Sequence, residues 1–116
     1  MKSKKYSNRK NLSGKVTGIY IVFFTKYNRP LLKGPTQKRT KEIILEVMED
    51  LECGVVQIKV HSNRVHLQFV YLPRLSIAKI MNRVKGKSSC LLRKEFPELR
   101  KQCPKALWAP KYGMIY

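Results

Sequence analysis

Arg64-Val65-His66 is the stretch of this 116-residue sequence that comes nearest to site chemistry. Two histidines at positions i and i+2 of a strand place two imidazoles on one face, about 6.8 Å apart. Such a pair shares a divalent ion when a third ligand comes from elsewhere. Only half of the pair exists here. His66 offers a ligand, whereas Arg64 fills the partner position with a guanidinium, which repels a cation instead of binding it. His61 lies close across a tight turn from Arg64 and is read as an exposed hairpin-end histidine, not as a replacement ligand. The cysteines Cys53, Cys90 and Cys103 are irregularly spaced and form no C-x-x-C pair, so a structural zinc site is not expected. Free thiols in a reducing cytoplasm are the expectation. Glu42, Glu46, Glu49, Asp50 and Glu52 are read as a solvent-facing surface, because nothing nearby completes an acid–base pair.

The elements that must position His66 follow from periodicity. Arg64 to Leu72 alternates as a strand, with Val65, Leu67, Phe69 and Tyr71 toward a core and Arg64, His66 and Gln68 on the opposite face. Residues 18–25 form a first strand, with Ile19, Ile21 and Phe23 on one face and Tyr20, Val22 and Phe24 on the other. Both faces are apolar, which predicts a central strand or one covered on both sides. A basic loop with Pro30 and Pro35 follows. A helix from Thr36 or Gln37 to Leu51 carries Ile44, Val47, Met48 and Leu51 as its stripe, and Cys53-Gly54 is read as its break. Val55 to His61 is a strand with Val56, Ile58 and Val60 inward, joined by Ser62-Asn63 to the next. Ser76 caps a helix reaching Phe96, with Ile77, Ile80, Met81, Val84, Leu91 and Leu92 buried. Gly86 in its middle costs about 1 kcal/mol against Ala and suggests close approach to a backbone, its own or a partner's. Glu98 to Lys101 makes a further turn after Pro97, and Lys111 to Tyr116 a last strand. The order β-α-β-β-α-β predicts an α+β, ferredoxin-like or RRM-like fold: a four-stranded antiparallel sheet with two helices on one face. Residues 1–16 read as a basic, flexible arm and 17–116 as the folded domain.

Charge names the partner class. Lys and Arg total 25 against 7 Asp and Glu, a formal net charge of +18. No acidic residue precedes Glu42 and none lies between Glu52 and Glu95. Such an imbalance points to a polyanion, most simply nucleic acid. No apolar run is long enough to cross a bilayer, and no signal peptide is read at the N-terminus.

Several segments together resemble the transposases of the insertion-sequence 200/605 type, single-tyrosine members of the HUH nuclease superfamily. They are Ile21-Val22-Phe23-Phe24-Thr25-Lys26-Tyr27-Asn28-Arg29, Asn63-Arg64-Val65-His66-Leu67, Lys85-Gly86-Lys87-Ser88-Ser89 with Leu91 to Leu99 behind it, and Leu107-Trp108. The resemblance implies binding of single-stranded or hairpin DNA, a tyrosine that attacks a backbone phosphate, a Mg²⁺ or Mn²⁺ ion on two histidines, a homodimer and a cytoplasmic location. No small-molecule substrate and no membrane partner are expected. Two departures stand out. Arg64 replaces the first metal histidine, with Asn63 in place of the usual aspartate, and no helix with a nucleophilic tyrosine follows the last strand. The expectation is therefore a domain without a catalytic residue, with His66 as a remnant ligand and metal absent or weakly held. DNA is expected on Lys26, Arg29, Arg64, Arg83, Lys85 and Lys87. The alternatives are an RRM-like or ribosomal-type basic module without enzymatic ancestry, and an active enzyme completed by a helix from another chain. An RRM would carry stacking aromatics where His66 and Gln68 stand.

Overall fold

Alternating burial along Arg64–Tyr71 marks the strand on which the molecule is built: Val65, Leu67 and Phe69 are fully buried, and Arg64, His66 and Gln68 between them are partly open. The computed structural model describes residues 16–115, so the basic arm lies outside the described residues except for Val16. The elements run β1 (Thr17–Thr25), α1 (Pro35–Asp50), β2 (Gly54–Val60), β3 (Arg64–Tyr71), α2 (Ile77–Glu95), α3 (Pro97–Gln102) and β4 (Trp108–Ile115). The four strands form one antiparallel sheet in the order β2-β3-β1-β4. This is the expected β-α-β-β-α-β arrangement, with α3 as a short addition.

One core joins sheet and helices. Ile19, Ile21 and Phe23 of β1 and the buried residues of β3 share it with Ile43, Ile44, Val47 and Met48 of α1 and with Ile80, Met81, Val84 and Leu92 of α2. Burying each such side chain is worth about 1.5–3 kcal/mol. Across the helix pair, Arg39 of α1 donates Nε and Nη2 to the two carboxylate oxygens of Glu95 at 2.8 and 3.1 Å. This fork holds the Glu95 carboxyl below its usual range.

The structure corrects four local expectations. Val56 does not face the core; it is 49% exposed, and Val55 is buried instead. A β-bulge causes this, because Val55 pairs with Phe69 while Gln57 pairs with Gln68, leaving Val56 as the extra residue. The break after α1 falls at Glu52, which takes a left-handed φ of 60°, while Gly54 already belongs to β2. Tyr71, expected in the core, is only partly buried at the end of β3. The last strand starts at Trp108, ahead of the expected Lys111, because the Trp108 end already pairs with Thr25 of β1; β1 itself is central, as expected, with Tyr20, Val22 and Phe24 on its second face half-open. Glycine is required at Gly34, where a φ of 59° leads into Pro35 at the first turn of α1.

Candidate nucleic-acid interface

The sheet register gathers three chain segments at one end. Phe24 of β1 pairs with Arg64 of β3, and Thr25 pairs with Trp108 of β4. The Thr25 amide donates to the Asn63 carbonyl at 3.0 Å and the Lys26 amide to the Leu107 carbonyl at 2.8 Å. The exit of β1 and the starts of β3 and β4 therefore lie side by side, and each brings cationic side chains with it.

On the open face, Arg64 and His66 are in direct contact. Arg64 Nε donates to His66 Nε2 at 3.1 Å, and Arg64 Nη1 donates to Asn63 Oδ1 at 3.0 Å. A guanidinium only donates, so Nε2 of His66 must carry the lone pair and Nδ1 the proton. The Tyr20 hydroxyl lies 2.7 Å from Nδ1 and accepts that proton's hydrogen bond. Burial first, then the cations and His61 around it, push the His66 pKa below its ordinary value. At neutral pH the ring is neutral, and its only lone pair points at Arg64. His61 stacks edge-on with His66, ring centroids 5.1 Å apart.

This donor set does not fit a divalent ion. The nitrogen a metal would need is taken by a fixed cation, and Arg64 supplies no ligand of its own. Among the described residues no three His, Cys, Asp or Glu side chains converge on one point. A charged guanidinium instead stands on His66, fixed by Asn63.

At the exit of β1, residues Lys26–Asn28 form a short 3₁₀ turn. Tyr27 and Asn28 both take left-handed φ values, 59° and 56°. The turn thrusts the Tyr27 ring into solvent at 74% exposure, between Lys26 Nζ at 5.7 Å and Arg29 at 5.4 Å from its centroid. An exposed aromatic flanked by two cations is the surface that single-stranded nucleic acid stacks on. Positive φ in a bulky residue costs about 1–3 kcal/mol, a strain that clusters at functional sites.

Behind this turn a cleft of about 650 Å³ opens between α2 and β4. Ser89 lines it and the fully buried Ser88 stands behind it. Ser88 Oγ donates to the Val84 carbonyl at 2.6 Å and accepts from Trp108 Nε1 at 2.9 Å. Ser89 Oγ accepts from the Leu107 amide at 3.1 Å. Both hydroxyls thus pin the start of β4 against α2, and Trp108 packs edge-on against Phe23 with centroids 4.7 Å apart. Lys85 donates Nζ to the Ala109 carbonyl at 2.6 Å, and burial pulls its pKa below the ordinary lysine value. Arg93 spans the cleft floor, bonded to Ser89 and to the Pro104 carbonyl.

Of the cations read from the sequence, Lys26 and Lys85 line this cleft. Arg29 flanks Tyr27 and donates Nη1 to the Gln102 carbonyl at 3.2 Å. Arg64 lies at the same end of the sheet on its open face. Arg83 and Lys87 are exposed on α2, each about 100° around the helix from the cleft-lining Asn82 and Gly86. They do not join the cleft. Sequence reasoning missed Arg93 and Lys105 in the cleft, Tyr27 on the turn and Tyr20 beneath His66. Tyr27 had a signal, an aromatic between Lys26 and Arg29; the others depend on which strands become neighbours.

Comparison with known proteins bears on fold and ancestry. The family model described as "Transposase IS200 like" matches residues 15–116. The transposases for insertion sequence element IS200 of Salmonella typhimurium LT2 and Salmonella typhi are each 26% identical over 81 residues, covering 70% of this chain. The match takes in 53% of those proteins, so the chain spans about half their length. Among solved structures, a Deinococcus radiodurans R1 protein described as a candidate transposase superposes with a TM-score of 0.82 at 22% identity, over 89% of this chain and 80% of that one. A REP-associated tyrosine transposase bound to a REP hairpin superposes with a TM-score of 0.61 at 12% identity, over 84% of this chain and 54% of that one. The two superpositions show a shared fold, and the family match over nearly the whole sequence decides ancestry: this chain belongs to the IS200-like transposase family.

Proposed function

We propose that this chain binds single-stranded or hairpin DNA through the basic end of its sheet and does not perform metal-dependent cleavage or strand transfer. The observation that carries this reading is the hydrogen bond from Arg64 Nε to His66 Nε2 at 3.1 Å. It occupies the lone pair that a metal would use and leaves a permanent cation in the place where one would sit. A guanidinium holds a phosphate by charge-assisted hydrogen bonds but does not generate the Lewis acidity of a divalent ion. Lys26, Arg29 and Lys85 at the same end extend the positive surface, and Arg83 and Lys87 add exposed charge on α2. Phosphate contacts spread over many cations tolerate the loss of a catalytic centre. A structural relative, the REP-associated tyrosine transposase, is bound to a REP hairpin, which supports DNA as the ligand.

The chain works as a homodimer in this reading. β2 and β4 are the outer strands of the sheet, and outer strands offer a route to pairing between copies. No described helix is long and apolar enough to cross a membrane.

The test is binding of a hairpin-ended single strand by the parent and by Arg64→Ala, measured by fluorescence anisotropy across a salt series. The variant is expected to bind about tenfold more weakly, with a salt slope smaller by about 0.7–0.9 for the lost phosphate contact. Equal affinity and equal slope would remove Arg64 from the interface.

A further inference from the structure

The close backbone approach expected at Gly86 is not found among the described residues, where a Cβ built on it meets nothing within 4 Å outside its own helix turn. The feature that the fold does not account for lies at the other edge of the sheet, between α1 and β2. A cavity of about 420 Å³ opens there, lined by Gln37, Lys38 and Lys41 of α1, by Lys59 of β2 and by His61 just beyond it. Every titratable side chain in its wall is basic.

The three lysines have no counter-charge. None of their ammonium groups makes an ion pair with a described residue. Glu42, one turn on from Lys38, is bonded to Arg39 instead. Lys38 also stands in the first turn of α1, where the helix dipole disfavours a cation and no acid relieves it. These like charges come from two elements and are still held together. Gln37 donates its side-chain amide to the Val60 carbonyl and so ties α1 to the outer strand β2. An anion seated among the lysines would remove the repulsion and stabilise the folded state.

The lining also narrows the anion. A carboxylate is matched best by the fork of an arginine, and no arginine lines this wall; ammonium groups serve phosphate as point charges. The volume is that of a small-ligand site. No ring lines the cavity except that of His61, which already stands edge-on to His66, so a base finds no stacking platform. The cavity is separate from the cleft at Lys85, since one lies on β2 and the other on β4, the two outer strands.

We propose that the cavity between α1 and β2 binds a free oligophosphate, such as the triphosphate of a nucleotide, on Lys38, Lys41 and Lys59, without reading the base. This site goes beyond the DNA-binding reading and does not depend on it.

The test is thermal unfolding of the full chain with tripolyphosphate, against sodium sulfate at matched ionic strength. The parent is expected to show a saturable rise in Tm, about 6 °C at tenfold the Kd, and ATP to match tripolyphosphate. Lys41→Gln and Lys59→Gln should each weaken binding about tenfold, the loss of one charge-assisted hydrogen bond, whereas Lys79→Gln, an exposed cation of α2 outside the cavity, should change nothing. A rise that sulfate reproduces, or that Lys79→Gln reduces as much as Lys41→Gln, would reveal general screening and overturn the site. ATP binding tenfold tighter than tripolyphosphate would overturn the claim that the base is unread. Anisotropy with a hairpin-ended strand separates the two readings. The Lys41→Gln Lys59→Gln protein should bind that strand within about twofold of the parent. A tenfold or greater loss would give the cavity to the DNA backbone and overturn the free anion as its ligand. A parent that binds tripolyphosphate but no hairpin would keep this site and overturn the DNA-binding reading.

Discussion

Replacing Arg64 by histidine should give the open face of the sheet a metal site. In the parent, Arg64 Nε caps the only lone pair of His66 at 3.1 Å, and the His61 ring lies 5.1 Å away, centroid to centroid. Arg64→His removes the cation and places an imidazole two residues from His66 on the same strand face, about 6.8 Å along the strand. With His61 beside them, three imidazoles then border one point. Thermal unfolding with and without Mn²⁺ reads the outcome. A ligand that binds only the folded state, at tenfold its Kd, stabilises by RT ln 11, about 1.4 kcal/mol. For a domain of this size that raises Tm by about 6 °C. The Arg64→His protein is expected to show this shift and the parent none. A parent that responds to Mn²⁺ as strongly as the variant would mean that the guanidinium swings aside, and would refute the claim that Arg64 blocks the site.

Other substitutions test the framework. Tyr27→Ala should weaken binding of an unstructured oligonucleotide by about 1–3 kcal/mol, the value of one stacked base, with little change in Tm, since alanine keeps the Cβ and with it the left-handed strain. Ser88→Ala leaves the buried Trp108 N–H without its acceptor and should cost about 1–3 kcal/mol in urea unfolding. Val56→Thr, on the bulge, should change stability by less than about 0.5 kcal/mol, whereas Ile58→Ala, two residues on in the core, should cost about 2–5 kcal/mol. A disulfide reagent at pH 8 should modify exposed Cys90 quickly; Cys53, whose thiol burial pushes up to about 11, should react far more slowly, with about one molecule in a thousand as thiolate.

The sheet and helices were legible because each buries one face. Val65, Leu67 and Phe69 cannot exchange faces with Arg64, His66 and Gln68 without turning the core outward, so alternation alone set the orientation of β3. The bulge at Val56 was not legible, since Val55-Val56 offers two equal apolar candidates and the choice depends on pairing with β3. Ser88 and Ser89 were passed over because a hydroxyl does not announce burial. Only the neighbouring β4, with its Trp108 and Leu107 donors, makes them core residues. That position 64 offers no metal ligand was plain in Arg64 itself. That the arginine bonds to His66, and so fixes its tautomer, depends on rotamers and on Tyr20 reaching from β1. The cleft was least accessible, because Lys26 is far in sequence from Arg93 and Lys105, and those two each read alone as ordinary surface charge.

The most direct measurement incubates the parent protein with a hairpin-ended single strand and Mn²⁺, and resolves free DNA, bound DNA and covalent product. The account predicts a salt-sensitive complex on a native gel and no DNA–protein adduct on a denaturing one. A covalent adduct that forms only with Mn²⁺ would contradict it.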